Sequence, residues 1–432
     1  MIRAALAAVD AGHLVRDAVV APEVERALRG AAAVDVIAAG KAAGPMLGAF
    51  VAAAPHSLRQ AIGMAAQDAP ALPPRVRWHR TVHPVPDERS VAAARDALDT
   101  AAAAGRDDLL VLLLSGGASS IMALPVDGVT LADKQQTSKQ LLSLGAEIHD
   151  LNTVRKHLSS IKGGRLAAAH AGRTITLALS DVVGDDLSSI GSGPTVPDRT
   201  TYADALAVMD AYGGRSAFPT RVVQHLLRGA SGAVPESPKP GDPRLARSHA
   251  TVIGGIRTAM QGARDAAESL GYVVHMIDTP VTGEASVAAA EFLEYVGRIP
   301  QLGERSSSHG SAGHPGLCII SGGETTVRTA GSGKGGRNQE FALALTRGLD
   351  RLGSSVVAAS VGTDGVDGPT DAAGAVVDST TVQRAIAAGS GDVERYLREH
   401  NSYVFFDRLG DLFRPGPTGT NVGDLQVVLV GS

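Results

Sequence analysis

The sequence predicts an α/β protein with mostly parallel sheets, and three observations carry that prediction. Short apolar runs such as "LLVLLL" (109–114) show no alternation, the pattern of strands covered on both faces. These runs alternate with longer stretches of helical spacing. Several runs end on glycine-rich turns, where open α/β sheets place their ligands. A chain of 432 residues is long enough for two or three domains.

The first twenty residues, "MIRAALAAVDAGHLVRDAVV", read as an amphipathic surface helix. Asp10, His13, Arg16 and Asp17 interrupt any apolar stretch, so neither a signal peptide nor a membrane span fits. Strands are expected at 34–39, 109–114, 174–180, 250–255, 272–277, 317–321, 325–329, 356–362 and 425–430, each a short run of apolar and β-branched residues. Apolar residues at helical spacing predict helices over 90–104, 131–149, 202–211, 256–270, 284–297 and 338–349. The segment 228–249 holds four prolines and no periodicity, and reads as a connector between domains. The polar stretch 301–316 reads as a surface loop of the second domain. These breaks divide the chain into a domain over 1–235, a connector over 236–249 and a second domain over 250–432.

Composition narrows the function. The net charge is −4 with no dense Lys/Arg run, which argues against a nucleic-acid partner. Cys318 is the one cysteine, so no internal disulfide or cysteine metal cage can form. A cytoplasmic protein without a membrane partner is expected. Aromatic residues make up only 3%, too few for base-stacking surfaces, while 51 glycines supply tight turns.

Two stretches repeat one pattern: "LLLSGGASS" (112–120) and "CIISGGETT" (318–326). A strand ending on Ser-Gly-Gly can turn tightly and aim N–H groups and hydroxyls at a phosphate or carboxylate. Ser115, Gly116, Gly117, Ser119 and Ser120 in the first, and Gly322, Gly323 and Glu324 in the second, are therefore candidate binding residues. In "VIAAGKAAGPM" (36–46), Lys41 follows a buried strand and suits a phosphate. In "NTVRKHLSSIKGGRLA" (152–167), Arg155, Lys156, Lys162 and Arg165 surround Gly163 and Gly164. In "LALSDVVGDDLSSIGSGPT" (177–195), a strand delivers Asp181 into a loop whose Ser192 and Gly193 resemble a further anion cradle. A carboxylate there can hold Mg²⁺ or take a hydroxyl proton.

In "TAGSGKGGRNQEFALAL" (329–345), Gly331, Gly333 and Gly336 match the dinucleotide spacing, a weak signal alone. Lys334 and Arg337, with Gly335 between them as a further candidate binding residue, give this loop an unusually cationic character at an expected helix start, which suits an anion. Asp364, Asp367 and Asp371 follow a buried strand in "SVGTDGVDGPTDAAGA" (360–375) and resemble a cation loop without the length of an EF-hand. Glycine cradles, cations and carboxylates at strand ends together form the inventory that phosphoryl transfer needs.

Six motifs in order, "GKAAGPM", "LLSGGASS", "NTVRKHLSSIKGGRLA", "LSDVVGDDLSSIGSGPT", "GKGGRNQEFALA" and "VGTDGVDGPTDAAGA", resemble the glycerate 2-kinase family with a C-terminal MOFRL domain, whose relatives have also been labelled hydroxypyruvate reductases. The resemblance implies a large Rossmann-like N-terminal domain and a C-terminal domain whose MOFRL region covers about 315–430, with an active-site cleft between them. It implies ATP-dependent phosphorylation of D-glycerate at its 2-hydroxyl with Mg²⁺, and is compatible with a homodimer. By the resemblance, Lys41 and Arg337 lie in the active site. Asp181 and Asp364 are expected to act in catalysis or, with Asp367, to hold the metal. Which Ser-Gly-Gly turn holds glycerate and which the nucleotide stays open. The alternatives are an NAD(P)-dependent hydroxypyruvate reductase and a non-catalytic anion sensor. For the first, Asp364 lies 28 residues past Gly336, where a dinucleotide fold wants an acid about twenty on.

Overall fold

The computed structural model describes residues 1–53, 57–299, 315–327, 333–352 and 355–431. They form two compact units, Ala11–Ile253 and Gly254–Ser432, the latter joined by Met1–Asp10.

The N-terminal unit is built on six strands: β1 (Val34–Ala39), β2 (Leu58–Ala65), β3 (Val76–Arg80), β4 (Leu109–Leu114), β5 (Arg173–Leu179) and β6 (Ser248–Gly254). Their order is β3-β2-β1-β4-β5-β6, and the pairs β2/β3, β1/β2, β1/β4 and β4/β5 are parallel. Both β1 and β4 are buried at every residue. Alternation sends Val34, Val36 and Ala38, with Leu109, Val111 and Leu113, into one core beside the helices Ala11–Val20 and Ala43–Ala52. Ile37, Ala39, Leu110, Leu112 and Leu114 enter the opposite core beside Glu88–Ala102. The single acid in β1, Asp35, is fully buried and neutralised by Arg59 of β2.

A satellite core joins the helices Leu131–Ser143, Ile148–His157, Tyr202–Ala211 and Thr220–Ala230. The first two replace the single helix expected over 131–149. The break falls at Gly145, which adopts a left-handed φ of 78°.

The C-terminal unit carries β7 (Val273–Met276), β8 (Val281–Glu284), β9 (Leu317–Thr326), β10 (Val356–Gly362), β11 (Gly374–Asp378), β12 (Leu412–Phe413) and β13 (Asp424–Val430). The order is β12-β11-β10-β13-β9-β7, with β8 also paired to β9. Here the expectation of mostly parallel sheets fails. The pairs β11/β12, β10/β11, β10/β13 and β9/β13 are antiparallel, and only β7 and β8 run parallel to β9. An unbroken apolar run reports burial on both faces; it does not report strand direction.

The segment read as a connector is anchored to the N-terminal unit. Glu236 accepts the Tyr202 N–H at 2.8 Å, and the Ser237 hydroxyl donates to Asp198 at 2.9 Å. β6, which the sequence reading put in the second domain, completes the first sheet. The expected loop at 301–316 falls almost wholly outside the described residues, as do the last two residues of the strand expected over 325–329.

Candidate active site

The strand order places a topological switch between β1 and β4. From β1 the chain goes to β2 on one side, and from β4 to β5 on the other. Ligands of open α/β sheets bind in the crevice beyond the carboxyl ends of such a strand pair. Gly40 and Lys41 follow β1 there, and Ser115, Gly116 and Gly117 follow β4. The two loops are stitched together. The Ser115 Oγ accepts the Ala42 N–H at 3.0 Å, and the Lys41 N–H donates to the Gly116 carbonyl at 2.9 Å. Gly40 has a φ of 125°, and a Cβ on it would collide with Ser115. At Gly117, φ is 84°, and a Cβ would come within 3.1 Å of the His83 ring and 3.5 Å of the Lys41 stem. Burial and then the Lys41 charge hold the His83 imidazole below its ordinary value.

Gly117, Ser119 and Ser120 also line a cavity of about 760 Å³, whose other walls include His83, Lys134, Arg155 and Lys162. Lys162 is fully buried and Lys134 is 5% exposed. Each ammonium finds one carbonyl: Lys162 donates to Gly191 at 3.1 Å and Lys134 to Leu158 at 3.4 Å. Among the described residues, no carboxylate pairs with Lys134, Arg155 or Lys162. The charges that act on Lys134 and Lys162 come from this same cluster. Burial, then the Arg155 charge, pushes Lys134 down to about 7. Burial, then Lys134 and Arg155, pushes Lys162 well below the lysine range. Burial lowers Arg155 as well. Unpaired cations are costly to bury, and a bound anion relieves that cost.

Ser119 shares a hydrogen bond with Ser192 at 2.8 Å, and Ser192 donates to Asn152 at 3.2 Å. Gly163 and Gly193 act on the backbone. The Gly163 N–H donates to the Ser192 carbonyl at 3.0 Å and the Gly164 N–H to the Gly193 carbonyl at 2.7 Å. These turns fix the position of Lys162. Asp181 is half-buried just beyond β5, at the same edge of the parallel sheet. Sequence reasoning missed Lys134 and His83. Lys134 sits in a polar helical stretch, and only the fold reveals its burial.

In the C-terminal unit the second Ser-Gly-Gly is not a turn. Ser321, Gly322 and Gly323 lie inside the unbroken strand β9. A Cβ on Gly322 would strike Ile256, and one on Gly323 would strike the backbone of Val281, the residue it pairs with in β8. Close packing against the helix Ile256–Ser269 at Gly322 and against β8 at Gly323 explains these glycines, and the turn expected to cradle phosphate does not form there. Glu324 accepts a bond from Arg337 at 2.8 Å. Lys334 lies over the Tyr403 ring at 3.9 Å, and its N–H donates to Asn401 at 3.1 Å. A Cβ on Gly335 would strike Ser402, so this loop packs on the helix Ser402–Leu409. Gly331 lies outside the described residues.

Asp367 is also corrected as a metal ligand. It is 2% exposed, and its carboxylate caps the helix Arg337–Leu345, accepting the N–H of Asn338 at 3.1 Å and of Gln339 at 2.8 Å. Burial pushes it up to about 7, against the pull of those two bonds. Asp364 accepts the Val366 N–H at 3.1 Å, and Asp371 binds Tyr403 at 2.7 Å. Among the described residues no three His, Cys, Asp or Glu side chains group to hold a metal. No described helix is long and apolar enough to cross a membrane.

Comparison with known proteins gives these features a lineage. Residues 1–227 match the family described as a domain of unknown function, DUF4147, and residues 317–424 match the MOFRL family. The chain is 41% identical over 360 residues to a glycerate 2-kinase of Pyrococcus horikoshii, covering 83% of this chain and 79% of that one. It is 38% identical over 349 residues to a D-glycerate 2-kinase of Thermotoga maritima, covering 81% and 78%. A crystal structure of glycerate kinase from Thermotoga maritima superposes with a TM-score of 0.84 at 33% identity, covering 99% of this chain and 97% of that one. A strand order that puts Lys41 at a switch point, and relatives that share most of the chain, lead to one assignment: the chain belongs to the glycerate 2-kinase family, with DUF4147 and MOFRL regions.

Proposed function

We propose that this protein transfers the γ-phosphoryl group of ATP to the 2-hydroxyl of D-glycerate, giving 2-phosphoglycerate and ADP. The observation that carries the reading is the cavity at the switch point, where Lys134 and Lys162 are buried beside Arg155 and, among the described residues, none of the three has a carboxylate partner. Both substrates are anions, a carboxylate and a polyphosphate, and either would offset that charge. Phosphoryl transfer relies on positioning and electrostatic stabilisation, which fixed cations provide. Lys41, whose stem lies beside Gly117, would supply a further ammonium. Asp181, just beyond β5, is the carboxylate proposed to orient the acceptor hydroxyl or take its proton.

The described residues form no cage for a metal, so Mg²⁺ would be held mainly by the nucleotide's phosphates and water, with at most one carboxylate of the N-terminal unit, Asp181, beside them. Bound there, it would neutralise charge on the phosphate oxygens. Some relatives are named hydroxypyruvate reductases instead. A nicotinamide enzyme with this strand order carries its glycine fingerprint in the first βα turn. That turn here reads Gly40-Lys41-Ala42-Ala43-Gly44.

The test is a coupled assay of the purified chain with D-glycerate, ATP and Mg²⁺, followed by NMR identification of the phosphorylated carbon. Phosphate on C2 is expected. Oxidation of NADH with hydroxypyruvate, and no ADP from glycerate, would overturn the reading.

A further inference from the structure

The basic residues of "NTVRKHLSSIKGGRLA" do not converge on one place. Arg155 and Lys162 face the cavity described above, and Lys156 pairs with Asp198 at 3.4 Å. Arg165 opens onto a different cavity of about 580 Å³, whose walls include Ser160, Tyr202, His225, Arg228 and Arg244. The two cavities share no lining residue.

We propose that this second cavity is an anion site, built to take the phosphate group of a small phosphorylated molecule. Four separate elements deliver its polar groups. Arg165 begins the short helix Arg165–Ala169 and Tyr202 begins Tyr202–Ala211. His225 and Arg228 lie three apart on Thr220–Ala230, hence on one face. Arg244 comes from the single turn Pro243–Leu245.

Arg165 is the telling residue. Its Nε is buried and has no hydrogen-bond partner, and its one bond is a long contact, 3.4 Å, from Nη2 to the Tyr202 hydroxyl. A guanidinium with an orphaned buried N–H is costly unless an acceptor arrives. Among the described residues neither Arg165 nor Arg228 has a carboxylate partner. Arg244 is different: Asp242 holds it at 2.6 Å, which fixes its direction. Asp127 is the one acid on the wall, and it is exposed. His225 contributes no charge of its own. Its Nε2 bonds the His157 carbonyl at 3.2 Å, and burial, offset in part by that bond, then the Arg165 and Arg228 charges, hold it below its ordinary value. A planar fork of donors matches phosphate oxygens in pairs, which an ammonium cannot do. The volume exceeds that of a bare phosphate and leaves room for a small organic group.

Titration calorimetry of the whole chain tests this, with inorganic phosphate in one arm and glycerol 3-phosphate in the other. Arg228 is exposed, so Arg228→Gln should leave the fold and melting temperature intact. It is expected to weaken one class of site about tenfold or more, as is Arg165→Lys. Lys162→Gln, in the other cavity, should leave that class unchanged. Tighter binding of glycerol 3-phosphate assigns the site to phosphate esters; equal binding assigns it to free phosphate. The proposal is overturned if the native chain binds neither probe. It is equally overturned if both arginine variants bind like the native chain, or if Lys162→Gln alone removes all binding.

Discussion

Asp424 grips Arg337 with both carboxylate oxygens, Nε lying 2.8 Å from Oδ2 and Nη2 3.0 Å from Oδ1. Asp424 is fully buried, and Asn338 donates to its Oδ1 at 2.8 Å. The guanidinium is therefore held in one orientation before any substrate arrives.

The family resemblance implies a catalytic charge at Arg337, and Arg337→Ala should remove more than that charge. It leaves Asp424 buried and unpaired, which typically costs about 3–5 kcal/mol. Urea unfolding is expected to show that loss beside a fall in turnover. The double variant Arg337→Gln with Asp424→Asn should regain much of the stability and none of the turnover. Native stability in Arg337→Ala would show that Asp424 does not depend on its partner.

Lys162 calls for the opposite result. Its ammonium is buried with one carbonyl and two neighbouring cations, so the free protein carries strain there. Lys162→Met is expected to leave stability unchanged or raise it, since an apolar isostere of a buried charge is often neutral or better. Activity should fall by about 10²–10³ in kcat/KM if the ammonium stabilises the transferring group. A variant that loses stability and keeps its rate would contradict both halves.

How much of this was legible before the fold was known differs residue by residue. The β1 and β4 cores could be read directly because their apolar runs have no other use. β2 carries Arg59 and Gln60 right after its first residue, Leu58, and β3 reads "VRWHR", so neither resembles a buried strand. Arg59 is there to neutralise Asp35 one strand away, a reason invisible along the chain. The turns that carry Lys41, Ser115 and Gly117 are legible because backbone turn chemistry leaves a local signature. Lys134 is not, since its place in the cavity depends on how the helix Leu131–Ser143 packs. Identical Ser-Gly-Gly triplets meant a turn after β4 and an unbroken strand in β9. Glycine records that space is short, without saying what fills it.

Lys41→Ala should separate function from folding in the N-terminal unit. The bonds that join the loops after β1 and β4 come from the Lys41 and Ala42 backbone, and they survive the substitution. The kcat is expected to drop about 10²–10³-fold, far more than the change in melting temperature would account for. Normal kcat with an intact melting temperature would remove Lys41 from the mechanism.

Asp367 sets a pH dependence in the C-terminal unit. Its carboxyl titrates at about 7 in the folded chain, against 3.8 in an ordinary carboxyl. Between those values the folded state keeps a proton that the unfolded state has lost. Its contribution therefore favours folding at the acid end, and weakens as pH rises through about 7. Asp367→Asn cannot ionise, and its difference in stability between about pH 5 and pH 8 should shrink relative to the native chain. Equal differences in the two proteins would place the titration elsewhere.

Lys134 is expected to couple anion binding to proton uptake. In the free chain its ammonium titrates at about 7, held down first by burial and then by Arg155. From about 7 up to the ordinary lysine value of 10.5 the unfolded chain holds a proton that the folded chain lacks. This group's contribution to stability therefore rises with pH across that window. An anion in the cavity reverses the preference, because it favours the charged ammonium. Binding should then draw in a proton, and affinity should fall as pH climbs above about 7. Sulfate is a suitable probe, since it does not titrate in this range. Calorimetry near pH 8, in two buffers of different ionisation heat, reads the uptake directly. Lys134→Gln should bind sulfate more weakly at about pH 6, and with less proton uptake at pH 8 than the native chain. Binding by the native chain with no proton uptake at either pH would mean that Lys134 does not face the anion.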